Sequence, residues 1–208
     1  GHRLRVGHWG GKLLMQKMGE AIERAGVTVH TDTRALRLVV DSDRVVGVAA
    51  RHFNDPVTYR AQRGVVITTG GFIDNEAMLR QHAPILVGHE KTTDGGDDGS
   101  GILMAQAIGA GVSRMSIGQA AVIAVPWVMC NGMIVNRLGQ RFINEDTYPG
   151  QIGLAALYKQ GLGVWVIVDE EGFEAVPEAE RWGIRPDHVC ETVAELEAEC
   201  GMPEGSLQ

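Results

Sequence analysis

Residues 64-GVVITTGGF-72 form a continuous apolar run that ends at two glycines. An uninterrupted run of this kind predicts a strand buried on both faces, as in a parallel sheet. Upstream, residues 12–25 predict an amphipathic helix, 27-VTVH-30 predicts a short strand, and 35–50 predict a hairpin of two β-branched runs around a DSDR turn. Because strands and helices alternate up to about residue 111, the sequence predicts the α/β class.

The second half of the chain has a different texture and predicts a second lobe. We expect strands at 121-AVIAVPW-127, 132-GMIVN-136 and 164-VWVIVDEE-171, because these segments are short, apolar and rich in branched residues. Near the end, Thr192 followed three residues later by Glu195 has the spacing of a capping box and predicts a helix start. The lobe is therefore expected to mix helices and strands in the α+β manner.

Composition excludes several classes of function. The 208 residues carry a net charge of −7 with no basic stretch, so nucleic acid is not an expected partner. The longest apolar stretches are about half of the ~20 residues that a membrane-spanning helix requires. The three cysteines are odd in number and lack a CxxC pair, so we expect no cysteine metal site and a reducing, cytoplasmic compartment.

Glycine is the residue type in excess, with 28 in 208 residues against a usual ~7%. Gly70 and Gly71 close the apolar run, and the absence of side chains there would let a dinucleotide approach the backbone. The alternative is an ordinary turn between a strand and a helix. Residues 94-DGGDDGSG-101 precede a predicted helix, and an aspartate there suits the hydroxyls of a ribose or ribityl chain. A solvated turn is the alternative for this loop, and its aspartate spacing does not match an EF-hand.

A third candidate segment, residues 134–150, is dense in polar side chains. Arg141 and Glu145 are expected to form a structural ion pair. Tyr148 precedes Pro149-Gly150 on a constrained loop, where a phenol serves either as a proton donor or acceptor at a carbonyl or as a packing residue. The sequence contains no GxSxG elbow, no HExxH motif and no GxGxxG fingerprint, so neither a serine nucleophile nor a metal site is predicted.

The order of these segments resembles the fumarate reductase and succinate dehydrogenase flavoproteins, and within that family the 3-ketosteroid dehydrogenases. The resemblance covers the chain from its first residues to at least residue 171, with the tail 192–208 similar as well. The matching segments are 7-GHWGGKLLM-15, 27-VTVHTDTRALRLVVDSDRVVGV-48, 65-VVITTGGF-72, 97-DDGSGILMAQAIGAG-111, 134-IVNRLGQRFINE-145 and 164-VWVIVDEE-171.

This resemblance implies a two-domain fold in which an FAD-binding domain is interrupted by an inserted capping domain. Residues 1–114 would belong to the FAD-binding domain and residues 115–208 to the cap. It also implies a fragment that lacks the N-terminal GxGxxG unit and the C-terminal flavin-domain segment, and that holds FAD poorly if at all. The positions implied to contact FAD are Val29 at the adenine end, then Thr69, Gly70, Gly71, Asp98 and Gly99.

The activity that the resemblance implies is FAD-dependent oxidation of a CH–CH bond. Fumarate reductases of this family place an acid arginine four residues after the Glu of an RFxxE motif, but Pro149 stands at that position here. The apolar stretch 120–127 replaces a dicarboxylate-binding histidine, which favours an apolar, steroid-like substrate with Tyr148 assisting proton transfer. Two alternatives remain: a reductase of a small unsaturated acid that uses Arg137 or Arg141, and a catalytically silent fragment.

Overall fold

The computed structural model describes residues 3–5, 8–122, 124–161 and 163–208, with side chains from residue 10 onward. In chain order the elements are β1 (Arg3–Arg5), β2 (His8–Trp9), α1 (Gly10–Arg24), β3 (Thr33–Asp41), β4 (Arg44–His52), β5 (Asp55–Arg60), α2 (Glu76–His82), α3 (Ser100–Gln106), α4 (Pro126–Cys130), β6 (Met133–Asn136), α5 (Pro149–Lys159), β7 (Val164–Ile167), α6 (Glu170–Glu174) and α7 (Val193–Glu199). The expected mixture of helices and strands is confirmed.

The chain divides into two compact units. The first comprises Gly1–Asp74 and Thr93–Val112, and the second comprises Asn75–Thr92 and Ser113–Gln208. The predicted boundary after residue 114 separates the FAD-binding domain from the cap, and it stays a prediction. Each unit is described by itself below.

The first unit is built around the sheet β3-β4-β5, whose strands pair antiparallel. The predicted hairpin is present as β3 and β4, and the turn between them places Ser42 and Asp43 at positive φ. Polar residues with small or short side chains adopt this left-handed conformation more readily than branched ones, which explains the tight reversal. Strand β5 extends the sheet by pairing antiparallel with β4 from Gly47 to His52.

The expected parallel strand at 64–72 is wrong in its pairing. These residues run without strand hydrogen bonds in the described part of the chain, and Val66 is 86% exposed. A buried strand needs a neighbour on each side to satisfy its backbone groups, and no described strand pairs with this segment. The predicted short strand at 27–30 is likewise irregular.

The second unit packs its helices around the antiparallel pair β6-β7. Its main apolar cluster contains the fully buried side chains of Met129, Ile134 and Ile152, from α4, β6 and α5. The predicted strand 121–127 is wrong where the structure describes it, because Pro126 and Trp127 begin α4; Ile123 lies outside the described residues. Proline is favoured in a first helical turn, where its missing N–H has no helical acceptor.

The expected capping box at the start of α7 is confirmed. The Thr192 hydroxyl accepts a hydrogen bond from the Glu195 N–H, and the Glu195 carboxylate accepts one from the Thr192 N–H. Both partners lie within four consecutive residues, so the sequence alone carries the information for this helix start.

Candidate functional site

The glycine segments 69–71 and 97–101 meet in the first unit. The Gly71 N–H donates to Oδ1 of Asp97 at 2.8 Å, and the Gly99 N–H donates to the Gly71 carbonyl oxygen at 3.0 Å. Four of the predicted cofactor residues, Gly70, Gly71, Asp98 and Gly99, therefore lie on two adjoining loops. The loops are distant in sequence, so the tertiary structure brings these residues together.

Two neighbouring glycines serve different purposes at this junction. Gly70 has φ +70°, and a Cβ built on it would overlap Oδ1 of Asp97. The backbone conformation and the close carboxylate both require glycine here. A Cβ on Gly71, by contrast, would meet no atom of the described part of the chain within 4 Å. The surface beside Gly71 is therefore open, as expected where a dinucleotide approaches the backbone.

Thr69 packs against the first turn of α3. A Cβ on Gly101 would overlap the Thr69 hydroxyl, so the absence of a side chain at Gly101 lets the helix approach the 64–72 segment. Gly99 immediately precedes α3 and takes the left-handed conformation at φ +75°. The predicted helix after the glycine-rich loop therefore begins against the predicted cofactor segment.

Asp74 and Asp97 organise the junction. Asp74 immediately precedes Asn75, the N-cap of α2, whose side chain accepts from the Met78 N–H. The Asp74 carboxylate accepts from the Thr93 hydroxyl at 2.8 Å and the Asp97 N–H at 3.1 Å. This pairing spans 23 residues, so no local pattern predicts it.

Asp98 accepts hydrogen bonds from Ser100 and from Arg34. Its Oδ1 accepts from the Ser100 N–H at 2.8 Å, and its Oδ2 accepts from Nη2 of Arg34 at 3.0 Å. The hydrogen bond from the Ser100 side chain is the largest of several interactions, including the charge of Arg34, that lower the pKa of Asp98. The carboxylate is therefore ionised at neutral pH and is a hydrogen-bond acceptor.

Val29 lies in the irregular segment between α1 and β3 and is 64% exposed. The adjacent His30 ring packs against Tyr59 of β5, with ring centroids 4.8 Å apart. The segment is thus anchored to the sheet at its next residue.

Tyr148 belongs to the second unit, where it precedes α5 and is 66% exposed. Its ring lies over Gly150, since a Cβ at that glycine would be 2.6 Å from Cε1 of Tyr148 and 3.5 Å from Nε2 of Gln119. The Tyr158 hydroxyl fixes the neighbouring segment by accepting from the Gly118 N–H at 3.1 Å. The ring edge at Cδ1 and Cε1 thus lies beside Gly150, and the side chain as a whole is largely exposed.

The expected ion pair between Arg141 and Glu145 is confirmed. Nε of Arg141 donates to Oε1 of Glu145 at 2.9 Å, and Nη2 donates to Oε2. Desolvation opposes ionisation of Glu145, whose side chain is 7% exposed, but donation from Arg141 and from the Ile134 N–H at 2.9 Å outweighs it and lowers the pKa. The pair therefore braces β6 against the following loop.

The described part of the chain contains no cluster of three or more histidine, cysteine or acidic side chains that would hold a metal ion. It also contains no helix of sufficient length and apolarity to cross a membrane.

Known proteins similar to this chain include steroid dehydrogenases and fumarate reductases. A 3-oxosteroid 1-dehydrogenase of Mycobacterium tuberculosis strain H37Rv is 28% identical over 95% of this chain and 41% of its own length. An NADH:fumarate oxidoreductase of Klebsiella pneumoniae is 28% identical over 81% of this chain and 19% of its own length. The chain thus spans less than half the length of these curated relatives.

A solved structure extends this similarity to three dimensions. The 3-ketosteroid-Δ4-(5α)-dehydrogenase of Rhodococcus jostii RHA1, in complex with 4-androstene-3,17-dione, is 39% identical, with a TM-score of 0.86 over 95% of this chain and 42% of that one. The family model described as FAD binding domain matches residues 2–203. The predicted cofactor, FAD, is confirmed at the level of the family. The chain therefore belongs to the FAD-binding domain family of flavoproteins.

Proposed function

We propose that the protein containing this chain is an FAD-dependent dehydrogenase that introduces a carbon–carbon double bond next to the ketone of a steroid-like substrate. The similarity to the Rhodococcus steroid dehydrogenase carries the proposal, since 39% identity extends over 95% of the chain. In this proposal residues 1–114 are the FAD-binding part and residues 115–208 form the cap.

Thr69, Gly70, Gly71, Asp98 and Gly99 hold FAD in this proposal, with Val29 at its adenine end. The open backbone at Gly71 supports a dinucleotide contact, because no atom of the described residues fills the space that a Cβ would occupy. The ionised Asp98 supports a contact with the sugar hydroxyls, which donate hydrogen bonds to a carboxylate. The chemistry that FAD supplies when bound is acceptance of a hydride from the substrate.

Tyr148 exchanges a proton with the substrate at its hydroxyl oxygen in this proposal. Its ring is fixed over Gly150 while the side chain stays 66% exposed, which supports contact with a molecule placed on that surface. Removing a proton from the carbon next to the ketone requires a group that handles the proton or polarises the carbonyl. General acid–base assistance of this kind typically contributes about 10²- to 10⁴-fold in rate.

The alternative of a small-acid reductase has less support. Such a reaction needs a cation to bind and protonate the carboxylate substrate, and position 149 holds proline. Two donor nitrogens of Arg141 are bound to the buried Glu145, so its guanidinium serves the fold. The apolar stretch 120–127, at the place where fumarate reductases of the family carry a dicarboxylate-binding histidine, also suits a steroid better than a dicarboxylate.

The test uses protein expressed from the complete reading frame that contains these 208 residues. A yellow preparation with flavin absorbance is expected, and 3-ketosteroids incubated with an artificial electron acceptor should give products two hydrogens lighter by mass spectrometry. Tyr148→Phe should lower kcat by about 10²-fold or more. Tyr59→Phe is the matched control, because it keeps the ring that packs on His30. A colourless protein that ignores steroids but is otherwise folded would refute the proposal in favour of a silent chain.

A further inference from the structure

An ion pair at the surface of the first unit links the start of β3 to the glycine-rich loop. Nη2 of Arg34 lies 3.0 Å from Oδ2 of Asp98, and the two residues are 64 positions apart. Arg34 follows the segment that contains Val29, and Asp98 adjoins Gly99. The pair therefore joins the two segments of this unit that the proposed function places at FAD.

The Asp98 carboxylate is oriented by this pair. The Ser100 N–H holds Oδ1 from the first turn of α3, whereas Arg34 holds Oδ2 from the sheet. Rotation of the carboxylate about its side-chain bonds breaks at least one of these contacts. The Asp98 side chain is 41% exposed, so a ligand can reach the carboxylate.

The pair is too exposed to be explained by folding stability. The Arg34 side chain is 63% exposed, and ion pairs at such positions contribute little to the stability of a fold. Its specific effect is geometric, because it fixes one carboxylate at the junction of the two glycine segments.

We propose that Arg34 is a positioning residue for FAD, which holds Asp98 in the orientation that accepts the hydroxyl groups of the cofactor's sugar chain. The inference rests on the proposed placement of Asp98 at FAD. Arg34 acts through Asp98, so its effect on FAD binding requires an intact carboxylate.

The test is a titration of FAD, followed by flavin fluorescence, into apoprotein expressed from the complete reading frame. Arg34→Ala should raise the Kd for FAD by about two- to fivefold at low salt, and Arg34→Lys should restore most of the loss. High salt should weaken binding to the unmodified protein more than binding to Arg34→Ala, since salt screens the exposed pair. Arg37→Ala, which removes the same charge from the same strand, is the matched control and should bind FAD with unchanged Kd.

Asp98→Asn identifies the route of the effect. In that background Arg34→Ala should cause no further loss of affinity; an additive loss would mean that Arg34 contacts FAD directly and would overturn the positioning role. Competition by ADP and by FMN distinguishes the two sugars, because only the fragment that carries the hydroxyls bound by Asp98 should lose affinity in Asp98→Asn.

The outcomes separate this inference from the proposed function. Unchanged Kd in Arg34→Ala refutes the role of Arg34 alone, and unchanged Kd in Asp98→Asn refutes the placement of Asp98, while steroid oxidation remains intact. Failure of the unmodified protein to bind FAD at all refutes both.

Discussion

The adjacent glycines at the end of the 64–72 segment give a sharp test of where FAD lies. Gly71→Ala adds a methyl group where no atom of the residues that the structure describes lies within 4 Å, so the free energy of unfolding should change by less than about 0.5 kcal/mol. If FAD approaches this backbone, the same methyl group meets the cofactor. Overpacking by a methyl costs about 1–3 kcal/mol, so the Kd for FAD should rise about tenfold or more.

Gly70→Ala is the matched comparison, and its effect falls on the fold. A left-handed alanine costs about 1–2 kcal/mol, and Gly70 has φ +70°. The new Cβ also displaces Oδ1 of Asp97, which loses its hydrogen bond to the Gly71 N–H at a cost of about 1 kcal/mol. The free energy of unfolding should therefore fall by about 2–3 kcal/mol.

Two measurements separate these effects. Urea titration followed by circular dichroism reports the free energy of unfolding, and quenching of flavin fluorescence reports the Kd for FAD. Gly71→Ala should change only the second quantity, whereas Gly70→Ala should change both. Gly71→Ala with the Kd of the unmodified protein would refute a dinucleotide contact at this backbone, and Gly70→Ala with unchanged stability would refute the left-handed turn against Asp97.

Two buried carboxylates of the second unit give further predictions. Glu145→Ala should lower the free energy of unfolding by about 1–3 kcal/mol in urea, because the buried Ile134 N–H loses its acceptor, and Arg141→Ala should cost less. The pKa of Glu145 is lowered in the folded state, so the stability contributed by its ionised carboxylate is present above the ordinary pKa of 4.5 and is lost as the pH falls through the folded-state pKa. A Glu145→Gln variant with the same acid-unfolding profile as the unmodified protein would contradict this. The buried Glu197, which is 2% exposed, accepts a hydrogen bond from the Gly205 N–H at 2.7 Å. Glu197→Ala should therefore accelerate amide hydrogen exchange at residue 205. Unchanged exchange would show that the carboxylate does not hold this turn.

The features that the sequence predicts correctly depend on neighbouring residues. The hairpin of β3 and β4 follows from two β-branched runs around one short turn, and the capping box of α7 needs only Thr192 and Glu195. The ion pair between Arg141 and Glu145 is also local, since four positions separate the partners. Family membership and the FAD cofactor were likewise available from the order of short motifs along the chain.

The predictions that failed required partners elsewhere in the chain. An apolar run at 64–72 has the composition of a buried strand, but composition does not supply the neighbouring strand that pairing requires. At 121–127 the apolar pattern fits strand and helix equally for so short a segment, and only its last two residues, Pro126 and Trp127, enter a regular element, the helix α4.

The arrangement of the candidate cofactor residues could be predicted only in part from the sequence. The sequence by itself determined which residue types are present: glycines that leave backbone exposed, and an aspartate before a helix. Only the tertiary structure determined that Asp97 joins Gly71 to Asp74, and that Arg34 orients Asp98. The physical reason is that these contacts connect residues 23 to 64 positions apart, and folding alone brings their hydrogen-bonding groups within reach.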